Sequence, residues 1–140
     1  LSKGLGAPVG SVLTGTAETI DAAHRFRKAL GGGMRQAGVL AAAGLHALES
    51  HIPDLAEDHR RARVFRDALE TVGVRFALPS PTNILFIELE DAAPVVAQLK
   101  EHGVLVSVPG PKRIRILFHR DITDNDLAEA IAVFTRVLVK

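Results

Sequence analysis

The chain has 140 residues, 47% apolar and 24% charged, with a formal net charge of +1. That balance belongs to a folded globular chain, and its near-neutral charge offers no basic field for nucleic acid or an anionic membrane. Cysteine, Trp and Tyr are absent. This excludes disulfide and thiolate chemistry, fits a cytoplasmic setting, and leaves only Phe and His as stacking platforms for bases. No apolar run approaches the roughly 20 residues needed to span a bilayer.

The chain opens on Leu, inside what reads as a motif, so we expect it to be a piece of a longer protein. Gly4, Gly6, Pro8 and Gly10 make the opening a loop, and residues 9–15 read as a short strand bounded by glycines. Residues 18–30 read as a helix, with acids early and Arg25, Arg27 and Lys28 late, as the helix dipole favours. Gly31, Gly32 and Gly33 end it. A second helix is expected from about residue 35 to 50. Its stretch 38–48 is apolar and small on nearly every side, so it should be buried all round.

Pro53 breaks the pattern, and a charged helix follows over 54–72, with Leu55, Ala62, Phe65, Leu69 and Val72 on one stripe. The texture then alternates. Residues 74–77 read as a weak strand, and 83–89 as a continuous apolar strand placed centrally in a sheet. Residues 92–102 read as a helix, and 104–108 as a strand with Val104, Val106 and Val108 on one face. Residues 109–111 make a tight connection, 113–119 a further strand, and 124–139 a closing helix. Leu127, Ile131, Phe134 and Leu138 form the buried stripe of that helix, and Thr123 is its cap.

Two parts follow, in an α/β fold class. Residues 74–140 read as a compact α/β unit, a small sheet with helices on one face. Residues 1–52 have no sheet on which to bury their apolar helix. Their partners are expected in an upstream segment, a neighbouring subunit, or both.

Four groups of residues could carry chemistry. Lys3 lies among glycines that leave room for a planar group against the backbone. A lysine that forms a Schiff base must reach its neutral amine form, which burial and a nearby cation promote. On composition alone, a surface lysine in a flexible loop is the commoner reading. Gly4, Gly6 and Gly10 fit a dinucleotide loop poorly, because the spacing is wrong and Pro8 interrupts it. Gly31–Gly33 and Arg35 stand just before a helix, where free N–H groups, the helix dipole and a guanidinium suit a phosphate; a plain helix–loop–helix joint is the alternative. In the strand 113–119, alternation puts Ile114, Ile116 and Phe118 on one face and Arg113, Arg115, Leu117 and His119 on the other. An arginine fork on a rigid strand suits a carboxylate, unless these side chains are merely solvated.

His46, His51 and His59 have no zinc-type spacing, so no metal site is expected. Residues 57–61 read as a solvated helix face.

The blocks LSKGLGAPVG (residues 1–10) and LGGGMRQAG running on into VLAAAG (residues 30–44), in this order and spacing, resemble the L-threonine aldolase family of fold-type-I pyridoxal 5'-phosphate enzymes. The resemblance covers essentially the whole chain. It implies the C-terminal part of a cofactor-binding large domain over residues 1–52 and a small C-terminal α/β domain over 53–140. By the same resemblance, Lys3 matches the catalytic lysine that binds the cofactor as a Schiff base. Arg35 matches an arginine that reaches the cofactor phosphate from a neighbouring subunit, which implies a homodimer or homotetramer. Arg115 matches the arginine that binds the α-carboxylate of a small amino-acid substrate. The implied reaction is retro-aldol cleavage of L-threonine or L-allo-threonine to glycine and acetaldehyde. Residues that would stack on the cofactor ring and pair with its nitrogen are expected upstream, so this chain alone is expected to be inactive. Two alternatives stand beside this reading: another fold-type-I enzyme, such as a β-eliminating lyase or a serine hydroxymethyltransferase-like protein, and a non-catalytic α/β module.

Overall fold

A computed structural model describes residues 1–139. The chain divides into two compact units, Leu1–Pro53 and Asp54–Lys140.

The first unit begins with a single 3-10 turn, Lys3–Leu5, closed by Gly6 in the left-handed conformation. Helix α1 spans Ala17–Ala29, capped by the Thr16 hydroxyl, which accepts from the Thr19 amide. Basic residues Arg27 and Lys28 fall in its last turn, where the dipole favours them. Gly31, at φ +79, turns the chain away. Helix α2 spans Gly38–Ser50. The strand expected over 9–15 does not form: the segment is irregular and exposed. A strand needs a ladder partner for its N–H and C=O groups, and the first unit has no other strand to supply one.

The all-round burial expected of residues 38–48 is not met either. Only Gly44 and Ala47 of α2 are buried, while Val39, Leu45 and Leu48 are exposed. A helix with apolar residues on every side is covered only when several elements surround it.

The second unit holds the core. Helix α3 spans Ile52–Thr71, with Pro53 in its first turn, where a missing N–H leaves no helical bond unmade. Strand β1 (Ile84–Glu88), helix α4 (Ala92–Glu101), strands β2 (Ser107–Gly110) and β3 (Arg113–Leu117), and helix α5 (Asp124–Leu138) follow. The sheet is antiparallel in the order β1-β3-β2. The strand read as central, β1, is therefore at an edge, and β3 takes the middle. The two residues between β2 and β3 return the chain as a hairpin, so β3 pairs with both neighbours. Phe76 bridges to Ile87 on the outer side of β1, all that remains of the weak strand expected there. The strand expected over 104–108 begins only at Ser107.

Leu85 and Ile87 of β1, and Ile114 and Ile116 of β3, point to the same side and are buried against Ala62, Phe65 and Leu69 of α3, Leu99 of α4 and Phe134 of α5. Phe65 packs edge-on against Phe134 at 5.0 Å and tilted against Phe118 at 5.4 Å. Helix α5 starts in a reciprocal box: the Asp126 amide donates to the Thr123 hydroxyl, and the Asp126 carboxylate accepts from the Thr123 amide. Among the described residues, no helix is long and apolar enough to cross a membrane.

Candidate functional site

In the first unit, Lys3 is exposed and adopts φ +70. The other non-glycine residue with positive φ among the described residues is Gln36, at φ +50, beside Arg35. A left-handed conformation costs an ordinary side chain of order 1 kcal/mol or more and persists where neighbours over-determine it. The two strained positions thus fall in the two blocks that carry the family resemblance.

The loop bearing Lys3 is pinned to α2. The His51 ring, just past the helix end, donates from Nδ1 to the Leu5 carbonyl at 2.7 Å. The Gly6 amide returns to the Lys3 carbonyl at 2.9 Å. Leu1 lies so close to α2 that a Cβ on Gly44 would meet its Cδ1 at 2.9 Å. The absence of a side chain at Gly44 permits this close approach. Arg35 is exposed in the turn before the same helix. Chemically, a primary amine can condense with a carbonyl, and a guanidinium fork can hold phosphate oxygens.

In the second unit, Arg115 lies at the middle of β3, half-buried, on the face opposite the core. Its cross-strand neighbours are Phe86 on β1 and Ser107 on β2. Ile114, Ile116 and Phe118 are buried, as alternation requires. Arg113 is already committed: it pairs with Glu88, directly opposite it in register, and its guanidinium lies 5.7 Å from the centre of the Phe86 ring. No such acid faces Arg115, which has no ion pair among the described residues. His119 contacts Asp121 at 3.5 Å.

The segment 57–61 departs from its reading as a solvated face. Asp58 is fully buried, and neither of its carboxylate oxygens has a hydrogen-bond partner. Burial pushes its carboxyl above the usual carboxylate range, against the pull of Arg61 and His119. The signal was present in the sequence: residue 58 lies on the same helical stripe as 55, 62, 65, 69 and 72. For His51 no sequence signal existed, because its partner is a backbone carbonyl 46 positions earlier. Among the described residues, no group of three or more His, Asp or Glu side chains could hold a metal ion.

The signature of the beta-eliminating lyase family matches residues 1–92. Among curated relatives, a low-specificity L-threonine aldolase of Arabidopsis thaliana is 40% identical over 99% of this chain and 41% of its own length. The low specificity L-threonine aldolase of Escherichia coli K12 is 39% identical over the whole chain and 42% of its own. The chain thus spans about two fifths of the length of these relatives. Among solved structures, the 8-amino-7-oxononanoate synthase of Francisella tularensis superposes with a TM-score of 0.68 at 18% identity, covering 86% of this chain and 39% of that one. The resemblance read from the sequence is borne out, and the fold is that of the fold-type-I enzymes.

Proposed function

The chain belongs to the beta-eliminating lyase family, and from that premise we propose that its parent protein is a pyridoxal 5'-phosphate enzyme cleaving L-threonine or L-allo-threonine to glycine and acetaldehyde. The observation that carries this reading is the match, along the chain's whole length, to relatives named for threonine aldolase activity. Two structural features support it: the strained, pinned loop of Lys3 and the guanidinium of Arg115, which has no ion pair among the described residues.

In this reading Lys3 offers its amine to the cofactor aldehyde, and Arg35 holds the phosphate, in a second copy of the chain. Arg115 binds the substrate α-carboxylate with two parallel N–H donors. The bound cofactor supplies an electron sink for the bond that breaks at Cα. Arg115, by fixing the carboxylate, decides which bond at Cα stands ready to break. In the cleavage the β-hydroxyl loses its proton, the Cα–Cβ electron pair stays with Cα, and acetaldehyde departs. A proton returned to Cα gives glycine. The exposed apolar side chains of α2, Val39, Leu45 and Leu48, fit burial in a homo-oligomer or against the rest of the parent protein. A cytoplasmic location fits the lack of cysteine.

Two measurements on the full-length protein test this. Borohydride reduction in the presence of pyridoxal phosphate is expected to leave the pyridoxyl mass on the peptide containing Lys3, and Lys3→Ala is expected to abolish it. L-Threonine is expected to yield glycine and acetaldehyde in equal amounts. Ammonia and 2-oxobutanoate instead would move the reaction to elimination; no modification at Lys3 would overturn the assignment of the site.

A further inference from the structure

Helix α3 buries positions 58, 62, 65 and 69, the four-three-four spacing of a helix packed on one side. Three of these are apolar and the fourth is Asp58. A carboxyl group that is out of water and has no hydrogen-bond partner is costly and calls for a cause. A leucine there would complete the stripe.

The surroundings of Asp58 join α3 to the turn that follows β3. Asp54 meets Arg120 at 3.4 Å, and Asp124 accepts from Arg60 at 2.5 Å and from Arg61 at 2.9 Å. The charges bearing on Asp58 are Arg61, Asp54 and His59 from α3 and His119 from the turn. Arg61 is spent on Asp124, with Glu57 a further 4.0 Å neighbour. His59 comes from the same helix and cannot join α3 to anything. His119 has a long contact, 3.5 Å, to an aspartate whose side chain is 84% exposed. Of these neighbours, the His119 ring is the one whose present partner holds it least.

The backbone beside His119 is well fixed. The Phe118 amide donates to the Asn83 carbonyl at 2.9 Å, the Asn83 side-chain amide donates to the Phe118 carbonyl at 2.7 Å, and the Ile122 amide donates to the His119 carbonyl at 2.8 Å. A restraint on the ring is therefore passed to the end of β3.

We propose that Asp58 is a positioning residue: its carboxylate takes over the N–H of the His119 ring from Asp121 and so fixes the end of the strand that carries Arg115. The proposal rests on the reading of Arg115 given above, and it explains why a stripe of apolar residues keeps one acid. The residue costs the fold stability and returns a defined strand end.

The test uses the full-length protein with Asp58→Asn, His119→Gln and the double variant. Asn keeps the volume and removes the charge. Asp58→Asn is expected to raise the KM for L-threonine roughly tenfold with kcat little changed, the pattern of lost binding common to ground and transition states. His119→Gln is expected to do the same, and the double variant to add nothing further. In protein labelled at the aspartate carboxyl carbon, His119→Gln is expected to move the Asp58 titration midpoint upward. An unchanged KM in Asp58→Asn, or additive effects in the double variant, overturns the proposal. So does a KM effect reproduced by Arg61→Gln and not by His119→Gln, which would assign the pairing to Arg61. The carboxyl titration does not depend on activity. If the protein cleaves no β-hydroxy amino acid, a midpoint that moves with His119→Gln still supports the pairing, and one that stays overturns it.

Discussion

Glu88 and Arg113 sit directly opposite each other in the β1–β3 register and form an ion pair, whereas Arg115, one pair further along the same face, meets Phe86 and Ser107. Two arginines that look alike in the sequence are thus chemically distinct. One is neutralised by its neighbour and the other presents an open fork.

The distinction predicts opposite outcomes for the two. Arg115→Ala is expected to lower kcat/KM for L-threonine by roughly 10- to 100-fold, the scale of a lost charge-assisted pair of about 1.5–3 kcal/mol. Arg115→Lys should recover only part of this, because an ammonium lacks the fork. Arg113→Ala breaks an exposed pair, so it should cost at most about 1 kcal/mol of stability and leave KM unchanged. Steady-state kinetics of the three variants decide the matter. Equal losses in Arg113→Ala and Arg115→Ala would contradict it.

The bond from His51 to Leu5 predicts that cofactor affinity depends on a histidine with no catalytic role. His51→Phe keeps the edge-on packing with His46, whose ring centre lies 5.0 Å away, but removes the donor. Losing one hydrogen bond of about 1 kcal/mol should weaken pyridoxal phosphate binding roughly fivefold. His46→Phe should leave affinity unchanged. A spectrophotometric titration of the two variants distinguishes them, and equal affinities would show that the loop is held by other contacts.

Much of this architecture was legible in the sequence because local rules and burial agree. The alternation at Ile114, Ile116 and Phe118 and the Thr123 cap on α5 each have a local cause, and the structure keeps them. What was misread depends on partners distant in the chain. The apolar run of β1 looked central, but which strand lies in the middle is set by the β2–β3 hairpin. Residues 9–15 have strand-like composition and no strand to pair with. Asp58 was read by its charged neighbours in sequence, when the helical stripe was the better guide. The two blocks around Lys3 and Arg35 were legible as a resemblance, and the left-handed backbone at Lys3 and Gln36 shows that both are shaped by more than composition.

The box that opens α5 predicts a stability effect in the acid range. Hydrogen bonds from the Thr123 hydroxyl and amide hold the Asp126 carboxyl below its usual range. A depressed folded-state value stabilises the fold above the unfolded value of 3.8, and that contribution is lost as pH falls through the folded one. Thr123→Ala removes one half of the box and should cost about 1 kcal/mol at neutral pH. Denaturant melts of the wild type and Thr123→Ala at pH 7 and at low pH should show the difference shrinking in acid. A constant difference would place the effect elsewhere.

Asp58 carries the opposite sign. Its folded-state value is raised, chiefly by burial, so the folded protein holds the proton more tightly than the unfolded chain. Below the unfolded value of 3.8 the group is protonated in both states, and the cost of burying its charge is absent. As pH rises above that value the unfolded chain ionises first, and stability falls until the folded carboxyl ionises in turn. Asp58→Asn removes this term. The variant should therefore match the wild type most closely in acid and be the more stable of the two at neutral pH, with the gap opening above pH 3.8. Asp58→Leu, which also completes the apolar stripe of α3, should gain more. Thermal or urea melts from pH 3 to pH 8 measure the gap. A wild type more stable than Asp58→Asn at neutral pH would mean that the carboxylate has a partner strong enough to repay its burial.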